Sequence, residues 1–372
     1  MLCRIAGAFA IALAACAPPA SVEMVDVTPV WPLPTSADLE ARGFIVASTV
    51  AEHGVVFPRE VFDATPALTR VDEPDLIYAN LTVVGARLDP CFQEGVNDPP
   101  CEASVRLVLQ PILPSPSNAA ALQARDASLH VFYVVEQTSE ILDAITALAT
   151  LRVESGAAGA GPLAVSPLLK DPVGRAKVRD VLVGLIGADR LVRVTSMEVH
   201  GDNTAWTFAG FAVREIGSFN NPDEVFAQHV LSVGTGGAID ASIDPALLPG
   251  ADNYTLLLND EDALAASLSE RQAAFDAAAR VENPLLHNPG TLDCVSCHLA
   301  ATARATALVR DELAASPEAY VNDRYDITPS AAFTNTQLIH NLGYRFDILA
   351  LSPRLVNESA LTAARANELL QP

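Results

Sequence analysis

Cys294, Cys297 and His298 stand in the run Cys294-Val295-Ser296-Cys297-His298, and their spacing sets the chemistry open to them. Two thiols three positions apart fall on one helical turn, where each can add to a vinyl group of one porphyrin. The imidazole that follows then lies against the iron as its proximal ligand. C-x-x-C-H therefore reads as a site for one covalent haem c. Three other readings use the same residues. A zinc site needs a second ligand pair, and Cys91 with Cys101 is poorly spaced to supply it. A redox dithiol needs a βαβ setting, which the flanking sequence lacks. Closure of a small Cys294–Cys297 disulfide is the third.

The remaining cysteines fit an exported protein. Met1-Leu2-Cys3-Arg4 carries one positive charge, and Ile5 to Ala15 is apolar. Such a run is too short to span a bilayer as a helix but suits the h-region of a secretory signal. It ends Leu13-Ala14-Ala15-Cys16, which resembles a bacterial lipobox. That resemblance implies a signal peptide over 1–15 and a lipid on Cys16. With Ala17 next, it implies sorting to the outer membrane, facing the periplasm or the cell surface. Cleavage near Ala15 or Ala20 as an ordinary signal is the alternative. Cys91 and Cys101 are ten positions apart, and an oxidising compartment would close them into a disulfide rather than leave two thiols. A loop of that size contributes about 3 kcal/mol in the chain-entropy picture.

Composition narrows the partners. The chain has 45 acidic residues against 23 Lys plus Arg, a formal charge of −22. That surface repels nucleic acid and anionic headgroups. It suits a basic redox partner, or solubility alone. Half the residues are hydrophobic, enough for more than one core in 372 residues.

Periodicity places the motif. Residues 43–50, 76–88, 104–110, 130–135, 190–199, 204–213, 225–233 and 254–258 read as strands, rich in β-branched and aromatic residues. Two helices interrupt them. One runs from Ser139 to Leu151 and the other opens at Pro172 and ends near Ile186. Further helices are predicted from the acidic run at Asn259 to Pro284, from Cys294 to about Ala315, and from an Asn357 cap to Leu370. The fold class is thus α+β. An antiparallel, sandwich-like β-rich region with two helices (41–259) follows a tether (16–40) and precedes a small helical domain (260–372).

With the motif between helices at both ends, this last segment resembles a monohaem cytochrome c domain. The resemblance implies a membrane-anchored carrier of single electrons in the cell envelope. Two alternatives remain: a peroxidase-like or gas-binding haem enzyme or sensor, and a surface binding lipoprotein with an accessory haem. Cytochromes of this family usually place a Met ligand after the motif, and here no Met follows Met197. The candidates for the distal position are His340, 42 residues after His298, and His287, seven before Cys294. Met197 and an open or water-ligated site complete the set. Two histidines on the iron lower its potential relative to His–Met, and an open site admits peroxide or small ligands. Arg345, Arg354 and Tyr344 are candidate partners for the haem propionates. His130, His200 and His229 lie in strand-like runs and read as structural histidines.

Overall fold

A computed structural model describes residues 20–35, 43–65, 73–91, 102–157, 159, 162–200, 205–213, 225–233, 239–241, 254–258, 260–287, 294–320 and 341–370. In chain order it contains α1 (Met24–Val27), β1 (Val50–Ala51), β2 (Gly54–Val55), α2 (Arg59–Asp63), α3 (Pro74–Ala79), β3 (Leu81–Asp89), β4 (Ser104–Ser115), β5 (Asn118–Ala124) and β6 (Ala127–Val134). Next come α4 (Thr138–Glu154), α5 (Pro167–Lys170), α6 (Pro172–Val183), β7 (Leu191–His200), β8 (Ala205–Ala212), β9 (Val225–Val233) and β10 (Ile239–Ala241). The C-terminal part holds α7 (Asp260–Ala265), α8 (Leu268–Glu282), α9 (Cys294–Arg310), β11 (Leu342–Arg345), β12 (Ile348–Leu351) and α10 (Pro353–Leu370).

The fold is α+β around an antiparallel eight-stranded sheet, in the order β10-β9-β8-β7-β6-β4-β3 with β5 paired to β4. Successive side chains on a strand point to opposite faces, and the register decides which residues share one. Val105, Leu107 and Leu109 of β4 lie beside Tyr133, Val131 and Leu129 of β6. This face is apolar and packs with Ile141, Ile145 and Leu148 of α4 and with Val178 and Leu182 of α6 in one cluster. The opposite face carries Arg87, Arg106, Val108, Gln110, Ser128, His130, Thr195 and Met197, and it meets the C-terminal elements. Among the described residues the β11–β12 hairpin is a small two-stranded sheet laid on β3 and β4, short of the full second sheet of a sandwich. Helices cover one face, and helices together with this hairpin cover the other, where a sandwich was expected, because apolar alternation asks only for a cover, not for a particular kind of cover.

Several local expectations give way to tertiary packing. Residues 43–49 make an isolated bridge, Val46 to Thr82, rather than a strand, and Val50 opens the two-residue β1. Pro74 opens a helical turn, so the strand expected from Leu76 begins at Leu81. Thr255–Leu258 is a 3-10 turn, not a strand, and buries Leu257 and Leu258. The helix expected from Asn259 to Pro284 breaks at Ser267, whose capping box with Glu270 starts α8. The last helix begins at Pro353, so Asn357 sits inside it and donates to the Glu282 carbonyl at 2.8 Å instead of capping.

Packing also links segments across the expected boundaries. Val22, Val27, Val30 and Trp31 are fully buried, so much of the stretch expected as a tether belongs to the core. Arg152 of α4 pairs with buried Asp26 at 2.9 Å and donates to the Ser21 carbonyl at 2.6 Å. Val22 and Asn367 exchange two hydrogen bonds, each 2.8 Å. Nor does residue 260 divide two packing units. Leu342, Tyr344 and Leu355 share a cluster with Val30, Val84 and Val108, and Ala363 and Ala366 join the main core.

The β11–β12 hairpin lies close on the sheet because two glycines allow it. A Cβ on Gly85 would fall 2.8 Å from a Leu342 methyl carbon, and one on Gly343 (φ +153°) would fall 2.8 Å from Gln110 Oε1. Gln110 itself is fully buried. It accepts from Tyr344 N at 2.6 Å and donates to Tyr344 O at 2.8 Å.

Candidate functional site

The C-x-x-C-H run opens α9. Cys294, Cys297 and His298 occupy positions i, i+3 and i+4 of that helix, on one side of its first turns. The side-chain placement of the two cysteines lies outside the described residues. His298 is buried, and its ring centroid lies 5.6 Å from that of His130 on β6, with the planes at 55°. The same side of α9 continues through Ala301, Thr302 and Ala305, all small and buried. The neighbouring side carries Leu299, Ala300, Ala303 and Ala307 into a cluster with Phe275 and Ala278 of α8, Tyr254, and Met197 of β7.

Two buried glutamates, each paired with arginine, hold this layer in place. Glu282, the last residue of α8, meets Arg304 of α9 at 2.7 Å. Burial lifts its carboxyl to about 7, and Arg304 lowers it only in part. On α10, Glu358 takes Arg354 at 2.6 Å and Arg87 of β3 at 2.9 Å, with Arg106 of β4 at 4.0 Å. Burial alone would raise the Glu358 carboxyl; Arg354, Arg87 and Arg106 outweigh it and hold the group at about 2. Arg354 also donates to the His287 carbonyl at 2.6 Å and to the Val281 carbonyl at 3.3 Å. The chain that leads into the motif is thereby fastened to the final helix.

The sequence-derived candidates fall as follows. His287 is buried in the turn after α8, its N–H bonded to the Asn283 carbonyl at 3.1 Å. Met197 is buried in the apolar cluster beside α9. His340, Cys16 and Cys101 lie outside the described residues. Cys91 takes part in a disulfide, at the end of a β3–β4 hairpin in which Asp89 faces Ser104. The three expected propionate partners all have internal roles. Arg354 serves Glu358, Tyr344 Oη donates to the Trp31 carbonyl at 2.7 Å, and Arg345 lies 3.9 Å from Asp126. Among the described residues no three His, Cys, Asp or Glu gather into a metal-binding cluster, and no helix is long and apolar enough to cross a membrane.

The residues present fit a covalent haem. Two cysteines stand one turn apart at a helix start, and the next residue is a buried imidazole, a neutral ligand for iron. No protein-family profile, curated protein or solved structure matches the chain.

Proposed function

We propose that this chain is an exported, lipid-anchored c-type cytochrome that passes single electrons within the cell envelope. The observation that carries the reading is the burial of His298 on the helix whose first turn holds Cys294 and Cys297. When bound, the haem supplies a one-electron couple. A donor protein gives up the electron and an acceptor takes it, and no covalent bond forms or breaks.

The chain's own residues set the conditions for that couple. Cys294 and Cys297 would hold the macrocycle by thioethers, and His298 would supply its imidazole as an iron ligand. Ala301, Thr302 and Ala305 keep the same side of α9 shallow. Leu299 and Phe275 contribute an apolar wall that would exclude water and lower the local dielectric. The Cys91 disulfide, which the reading pairs with Cys101, supports an oxidising compartment, where haem ligation takes place. The acidic excess suits a basic redox partner. Cys16 supplies the anchor, with the outer membrane as its destination.

Intact mass of the mature protein, made in a host that attaches haem outside the cytoplasm, tests the reading. One covalent haem, lost in a Cys294→Ala/Cys297→Ala double variant, is expected. A mass without haem would sink it. Prompt carbon monoxide binding by the reduced protein would favour a ligand-binding enzyme or sensor over a carrier.

A further inference from the structure

We infer that His130 is the second axial ligand of the iron bound by His298. The inference rests on the haem reading above and deepens it, since it names a ligand 168 positions away on another element. His130 sits in the middle of β6, paired across the sheet with Val108 on one side and Thr195 on the other. The register turns it toward the C-terminal layer, away from the core formed by Leu129, Val131 and Tyr133.

Two imidazoles meet at this point, 5% and 7% exposed. Their centroids are 5.6 Å apart. Two rings that each bond a shared metal through a nitrogen at about 2 Å hold their centroids on the order of 6 Å apart. The spacing is thus close to that of a bis-imidazole pair. The surroundings agree. The cross-strand neighbours of His130 are uncharged, and His298 is followed on its own side of α9 by Ala301, Thr302 and Ala305. Small side chains there keep bulk away from the side of α9 that carries His298.

The other candidates are placed differently. Met197 is packed among Tyr254, Leu257 and Leu299. The turn carrying His287 is held by Arg354. His130 comes from the sheet, so the iron would join the N-terminal and C-terminal parts of the chain. Bis-histidine ligation implies a six-coordinate, low-potential centre closed to added ligands.

The test uses the full mature chain, loaded in the cell, and its variants His130→Ala, His130→Met, His287→Ala, His340→Ala and Met197→Leu. Intact mass comes first. A wild-type chain without covalent haem overturns the haem reading itself, and that result is distinct from every result below. With haem present, His130→Ala is expected to keep it but lose the low-spin spectrum and bind carbon monoxide. Added imidazole should restore the low-spin spectrum. His130→Met, which keeps bulk and a ligating atom at the position, should raise the reduction potential. The other three variants should leave the spectrum unchanged. A low-spin, carbon monoxide-inert His130→Ala protein overturns the assignment. So does loss of the low-spin spectrum in His287→Ala, His340→Ala or Met197→Leu. If His130→Ala fails to fold, an unaltered potential and spectrum in His130→Met overturns it equally.

Discussion

The Gln110 side chain bonds both the N–H and the carbonyl of Tyr344, at 2.6 and 2.8 Å, and so acts toward β11 as a strand neighbour would. The same amide also donates to the Ala127 carbonyl at 3.1 Å. One buried side chain thus links the sheet to the hairpin that follows the motif helix.

Removing that link should be costly. Gln110→Leu strands a buried N–H and a buried carbonyl at Tyr344, each worth about 1–3 kcal/mol when left unsatisfied. The urea midpoint should fall by an amount equivalent to about 2–4 kcal/mol. A loss below 1 kcal/mol would show that water or a shifted hairpin replaces the bonds.

The two buried glutamates give stability opposite slopes in different pH windows. The Glu282 carboxyl is raised to about 7 from an ordinary 4.5, so the folded state holds its proton where the unfolded chain has lost it. Its contribution is full below about 4.5 and is lost as pH rises through 7. Glu358 is held at about 2, so its contribution is full above 4.5 and is lost as pH falls toward 2. Each span corresponds to a few kcal/mol, on the order of 3. Denaturant midpoints followed from pH 3 to 8 should show a maximum near 4.5 from this pair. Glu282→Gln should flatten the slope above it, and an unchanged slope would count against the assignment.

Glu358→Gln should be among the most damaging single changes in the C-terminal part. It leaves Arg354, Arg87 and Arg106, all with little exposed surface, facing a neutral amide. Breaking a buried ionic group from one side costs about 3–5 kcal/mol. Thermal unfolding at neutral pH reads the loss. A variant as stable as the parent would mean that water enters the cluster.

Residues 260–372 should not fold when produced alone. Leu342, Tyr344 and Leu355 would lose Val30, Val84 and Val108, and Ala363 and Ala366 would lose the main core. Circular dichroism and proteolysis of the fragment are the measurements. Cooperative unfolding of the isolated piece would refute the point.

Cys91→Ser should lower stability by about 3 kcal/mol under oxidising conditions and have no effect once the parent is reduced.

What the sequence made legible follows the range of the interaction. Helices α4 and α6, strands β6 to β9 and the helical start at Cys294 are carried by local period, and they were readable. The expected Leu76 strand gives way because Pro74, a helix-start residue, outweighs the alternation that follows it. The burial of Val22 to Trp31 was hidden behind a proline-rich opening, since a short apolar stretch does not announce what will cover it. Met197 stands out by residue type, whereas His130 reads as a structural histidine in a strand-like run. Nothing near residue 130 points to residue 298. Only the β6 register, which turns even positions of that strand toward α9, brings the two rings together.

The clasp between Val22 and Asn367, with Ser21 held by Arg152, has a consequence for posture. A lipid on Cys16 would leave five residues before the first fixed carbonyl, a leash of about 18 Å at full stretch. A chain of this length has a radius of gyration of about 21 Å when compact. The molecule would therefore hug the bilayer with its Arg152–Asn367 side turned to the lipid, unable to swing about freely. Redox partners would have to approach from the flanks or from above.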